Sequence, residues 1–229
     1  MRRIYGDIIW GAMILAWILI LVFPVTRAEF ITFTSEQVYV GGFLKFFILA
    51  SMGDMLGLRI VNGEWKFPQG FIYKAIIWGI LGVMITLMFT VFFQGVEGAM
   101  VKGILPWNGS RLALAFFGSF IMNTTFGPMM YVYHKFGDIL IDMIYEKRKH
   151  ELTGKITIEA MIDRVDWQRL VRFSWIKSCL IIWVPLHTIV FLLPMEYRVL
   201  MSAFLSIILG ILVAITKINT SEEYKDEAV

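Results

Sequence analysis

Cysteine and histidine are scarce in this chain, which contains one cysteine and three histidines among 229 residues. A single cysteine, Cys179, excludes an internal disulfide. The dispersed histidines do not have the spacing of a metal-binding motif, so we predict no metal site and no cofactor. The sequence also lacks a P-loop, a nucleophile elbow and a dinucleotide-binding fingerprint. Nothing in it argues for an enzyme, and we predict a protein without catalytic residues.

Charged residues are also few, at 17% of the chain, whereas 58% of the residues are hydrophobic. Soluble domains average roughly 45–50% apolar residues. Six long apolar runs account for the excess, at residues 8–25, 38–58, 70–93, 112–133, 173–193 and 197–216. A membrane-spanning helix needs roughly 20 mostly apolar residues. The sequence therefore predicts an all-α, polytopic bundle of about six transmembrane helices in a single membrane domain, with the lipid bilayer as its partner and no nucleic acid.

The placement of lysine and arginine predicts the orientation of this bundle. These residues concentrate in short loops on the cytoplasmic side of a membrane. With the N-terminus inside, the outer segments contain only Arg27, Lys102, Arg111 and Arg198. We therefore predict both termini on the cytoplasmic side of a plasma (inner) membrane, or of a mitochondrial or peroxisomal membrane if the source is eukaryotic. The first helix is predicted to end at Pro24 and to be followed by an outer loop.

The longest polar stretch, residues 135–172, is predicted to be an amphipathic segment on the cytoplasmic side. Its first part has apolar residues at intervals of three and four, which indicates an extension of the fourth helix. These residues are Phe136, Ile139, Leu140, Met143 and Ile144. Thr157 is a suitable N-cap for a second amphipathic helix over 158–169.

Two charged residues lie at matching depth near the inner ends of predicted spans. A charge inside the bilayer is costly, and Asp54 cannot reach the interface as a lysine can. We therefore predict an ion pair between Asp54 and Lys177, with exposure of both to water on the inner side as the alternative. Gly53 and Gly57 flank Asp54 with a spacing that allows close approach of another helix.

A stripe of small and polar residues follows the fourth predicted helix. Ser119, Asn123 and Gly127 recur every four residues and so share one face, with His134 further inward on the same side. Thr124 lies beside them, and Lys45 and His187 are expected at a common level about 10 Å below the outer face. These residues are candidates for an aqueous pore. The alternative is a helix–helix interface, since small and weakly polar residues also join helices in lipid.

Short strings at three places in the chain suggest a family. The first group is Pro24-Val25-Thr26-Arg27, Gly42-Phe43-Leu44 and Gly53-Asp54. The second group is Gly127-Pro128, Tyr133-His134-Lys135 and Asp138. The third group is Pro185, Phe191, Pro194 and Tyr197-Arg198. Together they resemble the motifs of the Mpv/peroxisomal membrane protein family, from which an extra apolar run between Trp65 and Arg111 departs.

This resemblance implies a small helical membrane protein, distantly related to the family, whose members are thought to include weakly selective channels. It carries over no catalytic residues. The motif positions that it singles out are Asp54, Gly127, Pro128, Lys135, Asp138 and Arg198.

We therefore predict a weakly selective channel or facilitator for small solutes, with homo-oligomers as one possible arrangement. The competing hypothesis is a non-transporting membrane scaffold or assembly factor that docks a partner through the segment 135–172. The solute itself is not identified by the sequence.

Overall fold

A computed structural model describes the backbone of residues 3–226 and the side chains of residues 3–211 and 214. This part of the chain contains helices and no strand, which confirms the all-α prediction. The elements are α1 (Arg3–Val22), α2 (Pro24–Glu36), α3 (Val38–Asn62), α4 (Phe71–Val101), α5 (Arg111–Arg148), α6 (Ile158–Asp163), α7 (Trp167–Arg169), a π-helix (Leu170–Trp183), α8 (Val184–Leu192) and α9 (Met195–Asp226).

Four helical segments of the described chain are long and apolar enough to cross a membrane. They are Arg3–Val22, Phe71–Val101, Arg111–Arg148 and Trp167–Leu192. Large apolar side chains are exposed along them, including Ile80, Leu112, Ile181 and Ile189. Such surfaces suit lipid rather than water, so the protein is membrane-embedded, as the sequence predicts.

The outer loop predicted after Pro24 is instead a helix, and this prediction was wrong. Helix α1 ends at Val22, Phe23 adopts an extended conformation with ψ of 125°, and α2 begins at Pro24. Proline suits the first position of a helix because its φ is already helical and its missing N–H has no partner there. Pro24 therefore starts a second helix rather than only ending the first.

Helices α4 and α5 are longer than the apolar runs that predict them. Helix α4 continues past residue 93 to Val101, and α5 continues through Pro128 to Arg148. This confirms the amphipathic extension, since Ile139 and Met143 are buried in a small cluster with residues of the following segment.

The second amphipathic helix is broken into α6 and α7. The Thr157 hydroxyl accepts a hydrogen bond from the Ala160 N–H at 3.2 Å, as predicted for an N-cap. The backbone N–H of Glu159 and the Thr157 hydroxyl also hold the pKa of the Glu159 carboxyl below its usual value. A carboxylate is favoured in the first turn of a helix because the unpaired N–H groups there carry partial positive charge.

Helix α3 lies at the centre of the bundle, between α4 and α9. A Cβ atom at Gly53 would lie 2.6 Å from the backbone oxygen of Ser206, and one at Gly57 would lie 2.9 Å from that of Gly210. Glycine is therefore required for this contact, and the predicted close approach of a neighbouring helix is confirmed. The neighbour is α9.

Side-chain contacts define two ends of the bundle. At one end, Asp7 of α1 forms an ion pair with Arg59 at 3.1 Å and accepts a hydrogen bond from Trp65 Nε1 at 2.8 Å. We call this the Trp65 end. At the other, Arg198 Nε donates to the Leu193 carbonyl oxygen at 3.0 Å. We call this the Arg198 end.

Candidate functional site

Buried polar side chains from α5, α8 and α9 meet in the middle of the bundle. Asn123 Nδ2 donates to the Ser119 carbonyl oxygen at 2.8 Å, and Asn123 Oδ1 lies 3.1 Å from His187 Nδ1. His187 Nε2 lies 3.2 Å from Ser202 Oγ. Because Asn123 Oδ1 can only accept, His187 carries its proton on Nδ1 and accepts from the Ser202 hydroxyl at Nε2. All four side chains are at least 92% buried, so this network is satisfied without solvent.

Three further polar side chains extend this network toward the π-helix. Trp183 Nε1 donates to the Tyr131 hydroxyl at 2.7 Å, and that hydroxyl lies 2.7 Å from Ser178 Oγ. The Trp183 ring stacks on His187 with centroids 5.0 Å apart. The Trp183 ring thus packs against the face of the His187 imidazole, while hydrogen bonds hold its two nitrogen atoms.

A central cavity of about 40 Å³ lies beside this network. One water molecule needs roughly 10–15 Å³, so the cavity has the volume of a few waters. Its surface is almost entirely apolar, although Asn123, Tyr131, His187 and Ser202 are among the residues that line it, together with Trp78 and Phe89.

A larger cavity of about 390 Å³ opens toward the Arg198 end, and we call it the outer cavity. Its lining includes Lys45, Thr86, Phe89, Gln94, Glu196 and Arg198. Lys45 is only 5% exposed, and its ammonium lies 5.2 Å from the centre of the Phe30 ring. Phe89 belongs to the linings of both cavities and therefore lies where they approach each other.

A third polar group lies next to the central cavity, at Trp78. It consists of Asp54, His134 and Asp138, and we call it the inner crevice. Trp78, which lines that cavity, donates from Nε1 to Asp54 Oδ2 at 2.6 Å and packs its ring on His134 with centroids 4.2 Å apart. His134 Nδ1 lies 3.8 Å from Asp138 Oδ2. Asp54 from the first group of strings and His134 from the second therefore both contact the indole ring of Trp78.

The predicted ion pair between Asp54 and Lys177 was wrong. No ion pair joins them in the part of the chain whose side chains are described. Lys177 is exposed on the π-helix, which packs on α5, α7 and α8, and the hydrogen-bond partner of Asp54 is Trp78. Asp54 is exposed in the structure, as Lys177 is, and its carboxylate accepts one hydrogen bond from the Trp78 indole, so it does not need a lysine partner.

The other predicted site residues divide into two sets. Ser119, Asn123 and Gly127 share a buried face of α5, as their spacing predicts. Thr124 is exposed, and its hydroxyl donates to the Phe120 carbonyl oxygen of the same helix at 2.8 Å, so it does not belong to the stripe. Lys135 is exposed as well.

Lys45 and His187, predicted at one level, line different cavities, with Phe89 between them. The Phe89 ring lies 5.5 Å from the His187 ring and nearly perpendicular to it, at 80°. The sequence therefore identified residues that line both cavities but not Phe89, which belongs to both linings.

Several residues of this site were missed because aromatic side chains are common in apolar runs. Trp78, Phe89, Tyr131 and Trp183 carry no spacing signal that distinguishes them from ordinary packing. Ser202 was also missed, although a usable signal existed. Ser202, Ser206 and Gly210 recur every four residues, the same spacing of small residues that marks Gly53 and Gly57 on α3.

Comparisons with protein-family models, curated proteins and solved structures found no match. The resemblance to the Mpv/peroxisomal membrane protein family thus stays a prediction from the motif strings. No group of three His, Cys, Asp or Glu side chains within the described residues is arranged to hold a metal ion.

Proposed function

We propose that this protein is a weakly selective channel or facilitator for small solutes, built from six transmembrane helices with both termini on the cytoplasmic side. The main support is the order of two cavities and one polar group through the bundle, with the polar network of Asn123 and His187 beside the central cavity. The outer cavity reaches Phe89, the central cavity lies between Phe89 and Trp78, and Trp78 contacts the inner crevice.

Helices α3 and α9 complete the six spans of this proposal. They contain 25 and 32 residues, and a helix of 25 residues is about 37 Å long, enough to cross the hydrocarbon core. Helix α3 is less apolar than a lipid-exposed span because α4 and α9 cover it. The contacts of Asp7 with Arg59 and Trp65 place the start of α1 and the end of α3 together, which supports a common side for them.

In this proposal, two aromatic rings act as constrictions. An apolar ring can close an aqueous path by excluding water and can open it by a change of rotamer. Phe89 closes the central cavity toward the outer cavity, and Trp78 closes it toward the inner crevice. The structure then represents a closed state of the path.

The test is solute flux into liposomes that contain the purified protein. Phe89→Ala removes the first of the two proposed constrictions and leaves the rotamer change of Trp78 as the remaining barrier, so we expect it to increase the rate of osmotic swelling with small polyols. Phe120→Ala is the matched control because it makes the same change at a side chain that is 42% exposed on the outer surface of α5.

Equal flux from both variants and from empty liposomes would contradict the proposed transport. Tight liposomes together with a stoichiometric partner that copurifies through the segment 135–172 would favour the scaffold hypothesis instead. Phe120→Ala increasing flux as much as Phe89→Ala would indicate a leak caused by loosened packing rather than an opened path.

A further inference from the structure

The outer cavity contains a buried cation that lacks a counter-charge. Lys45 is 5% exposed, and no acidic side chain in the described part of the chain lies within 4.0 Å of its ammonium. Its ammonium instead lies over the Phe30 ring, with which it forms a cation–π interaction. Burial of an unpaired charge is unfavourable, and such groups in membrane proteins commonly face a ligand path.

The remaining charges of the cavity do not offset Lys45. Arg198 and Glu196 also line it, so that two cations face one acid. The Arg198 guanidinium lies 3.9 Å from the centre of the Phe93 ring and uses Nε to hold the Leu193 carbonyl oxygen. Glu196 is exposed at the rim and forms no ion pair with Lys45 or Arg198 within the described side chains. The cavity therefore has a net positive charge, and Lys45 is the cation buried in it.

The hydroxyl groups of the cavity already donate to their own helices. Thr86 Oγ1 donates to the Gly82 carbonyl oxygen at 2.7 Å, and Thr34 Oγ1 donates to that of Ile31 at 3.2 Å. The donor that remains available at depth is the Lys45 ammonium, which has three N–H bonds and no acceptor among the described side chains. Around it the wall is largely apolar, with Val38, Phe89, Phe93 and Val199.

We propose that the outer cavity binds a small monoanion with an apolar chain, of the monocarboxylate class, with the carboxylate on Lys45 and the chain against Phe89 and Phe93. One carboxylate is enough to pair the single buried ammonium, whereas a neutral or cationic solute would leave Lys45 unpaired. This inference rests on the proposed function in that it names the solute class that enters the path from this end.

The test measures binding of radiolabelled hexanoate to the full-length protein in phosphatidylcholine nanodiscs. We expect unlabelled hexanoate to compete and equal concentrations of hexanol or hexylammonium not to compete. We expect Lys45→Met to weaken hexanoate binding by roughly 10- to 100-fold, the range that follows from losing a hydrogen bond to a charged group. Lys45→Arg, which retains the charge, should bind within a few-fold of the unaltered protein.

Lys102→Met is the matched control because it removes an exposed lysine in the turn after α4, outside the cavity. We expect it to leave hexanoate binding unchanged. Equal loss of binding in Lys102→Met and Lys45→Met would overturn the proposal, since general surface charge would then explain it. Competition by hexanol as effective as that by hexanoate would also overturn it, and this comparison needs no variant.

An anionic lipid headgroup has the same charge and an apolar chain, so a second arm distinguishes the sources. Binding is repeated in nanodiscs that contain phosphatidylglycerol. Unchanged hexanoate affinity supports a free solute, whereas displacement of hexanoate from the unaltered protein would overturn that assignment in favour of lipid. Because binding is measured without flux, its failure is distinguishable from failure of transport: hexanoate can bind to a protein that transports nothing, and polyols can permeate a protein that binds no hexanoate.

Discussion

Replacing Asn123 by leucine tests whether the central network is a coupled unit. The side chain of Asn123 makes hydrogen bonds with the Ser119 carbonyl oxygen, with Ser119 Oγ and with His187 Nδ1. Hydrogen bonds inside membrane bundles average about 0.6 kcal/mol each, which amounts to roughly 1–2 kcal/mol here. Leaving the buried His187 N–H without an acceptor adds roughly 1–3 kcal/mol. We expect Asn123→Leu to reduce the free energy of unfolding by roughly 2–5 kcal/mol.

The double variant Asn123→Leu/His187→Phe separates these two contributions. Phenylalanine keeps an aromatic ring against Trp183 and Phe89, and it removes the N–H that the first substitution leaves unpaired. Replacing both partners by apolar groups costs less than removing one. We therefore expect the double variant to be more stable than the sum of the single variants predicts, by roughly 1–3 kcal/mol.

The measurement is reversible unfolding by sodium dodecyl sulfate in mixed lipid–detergent micelles, followed by circular dichroism. Thr124→Leu is the control because that exposed hydroxyl bonds only within its own helix, and we expect a change close to zero. Additive costs of the two substitutions, within roughly 0.5 kcal/mol, would falsify the coupling.

Two further predictions concern helix packing and capping. Gly53→Leu should prevent α9 from approaching α3 and abolish the folded protein in detergent extracts. Gly11→Leu should be tolerated, because a Cβ atom at Gly11 would meet nothing within 4 Å. Size-exclusion chromatography compares the two variants, and equal elution profiles would contradict the close packing. Thr157→Ala should reduce the local stability of α6 by about 1 kcal/mol through loss of its N-cap. Faster hydrogen exchange at Ala160, with unchanged exchange in α3, is the expected result, and unchanged exchange at Ala160 would contradict it.

The positions of most helices could be predicted because hydrophobic length is a local property. The run 112–133 lies inside α5, the run 70–93 lies inside α4 except for its first residue, and the i, i+4 spacing correctly grouped Ser119 with Asn123 and Gly127. The helix ends were less predictable because amphipathic turns beyond the apolar run, such as Gln94 to Val101, continue the same backbone hydrogen bonding.

The partners of polar residues were not predictable from depth. The sequence predicts Asp54 and Lys177 at matching depth, but depth is set along one helix whereas contact requires two neighbouring helices. The π-helix that carries Lys177 packs on α5, α7 and α8 rather than on α3. Phe89 and Trp78 likewise have no sequence pattern that separates a ring between two cavities from a ring in a packed core.

The sequence by itself determined that this is a membrane-embedded, all-helical protein, because long apolar runs leave the backbone no partner in lipid except its own helix. Only the tertiary structure decided which polar groups meet. It joined Asn123 to His187, placed Lys45 in a separate cavity and set Phe89 between them. The reason is physical: the rotation of each helix about its axis is determined by close contacts such as Gly53 with Ser206, which link residues more than 150 positions apart.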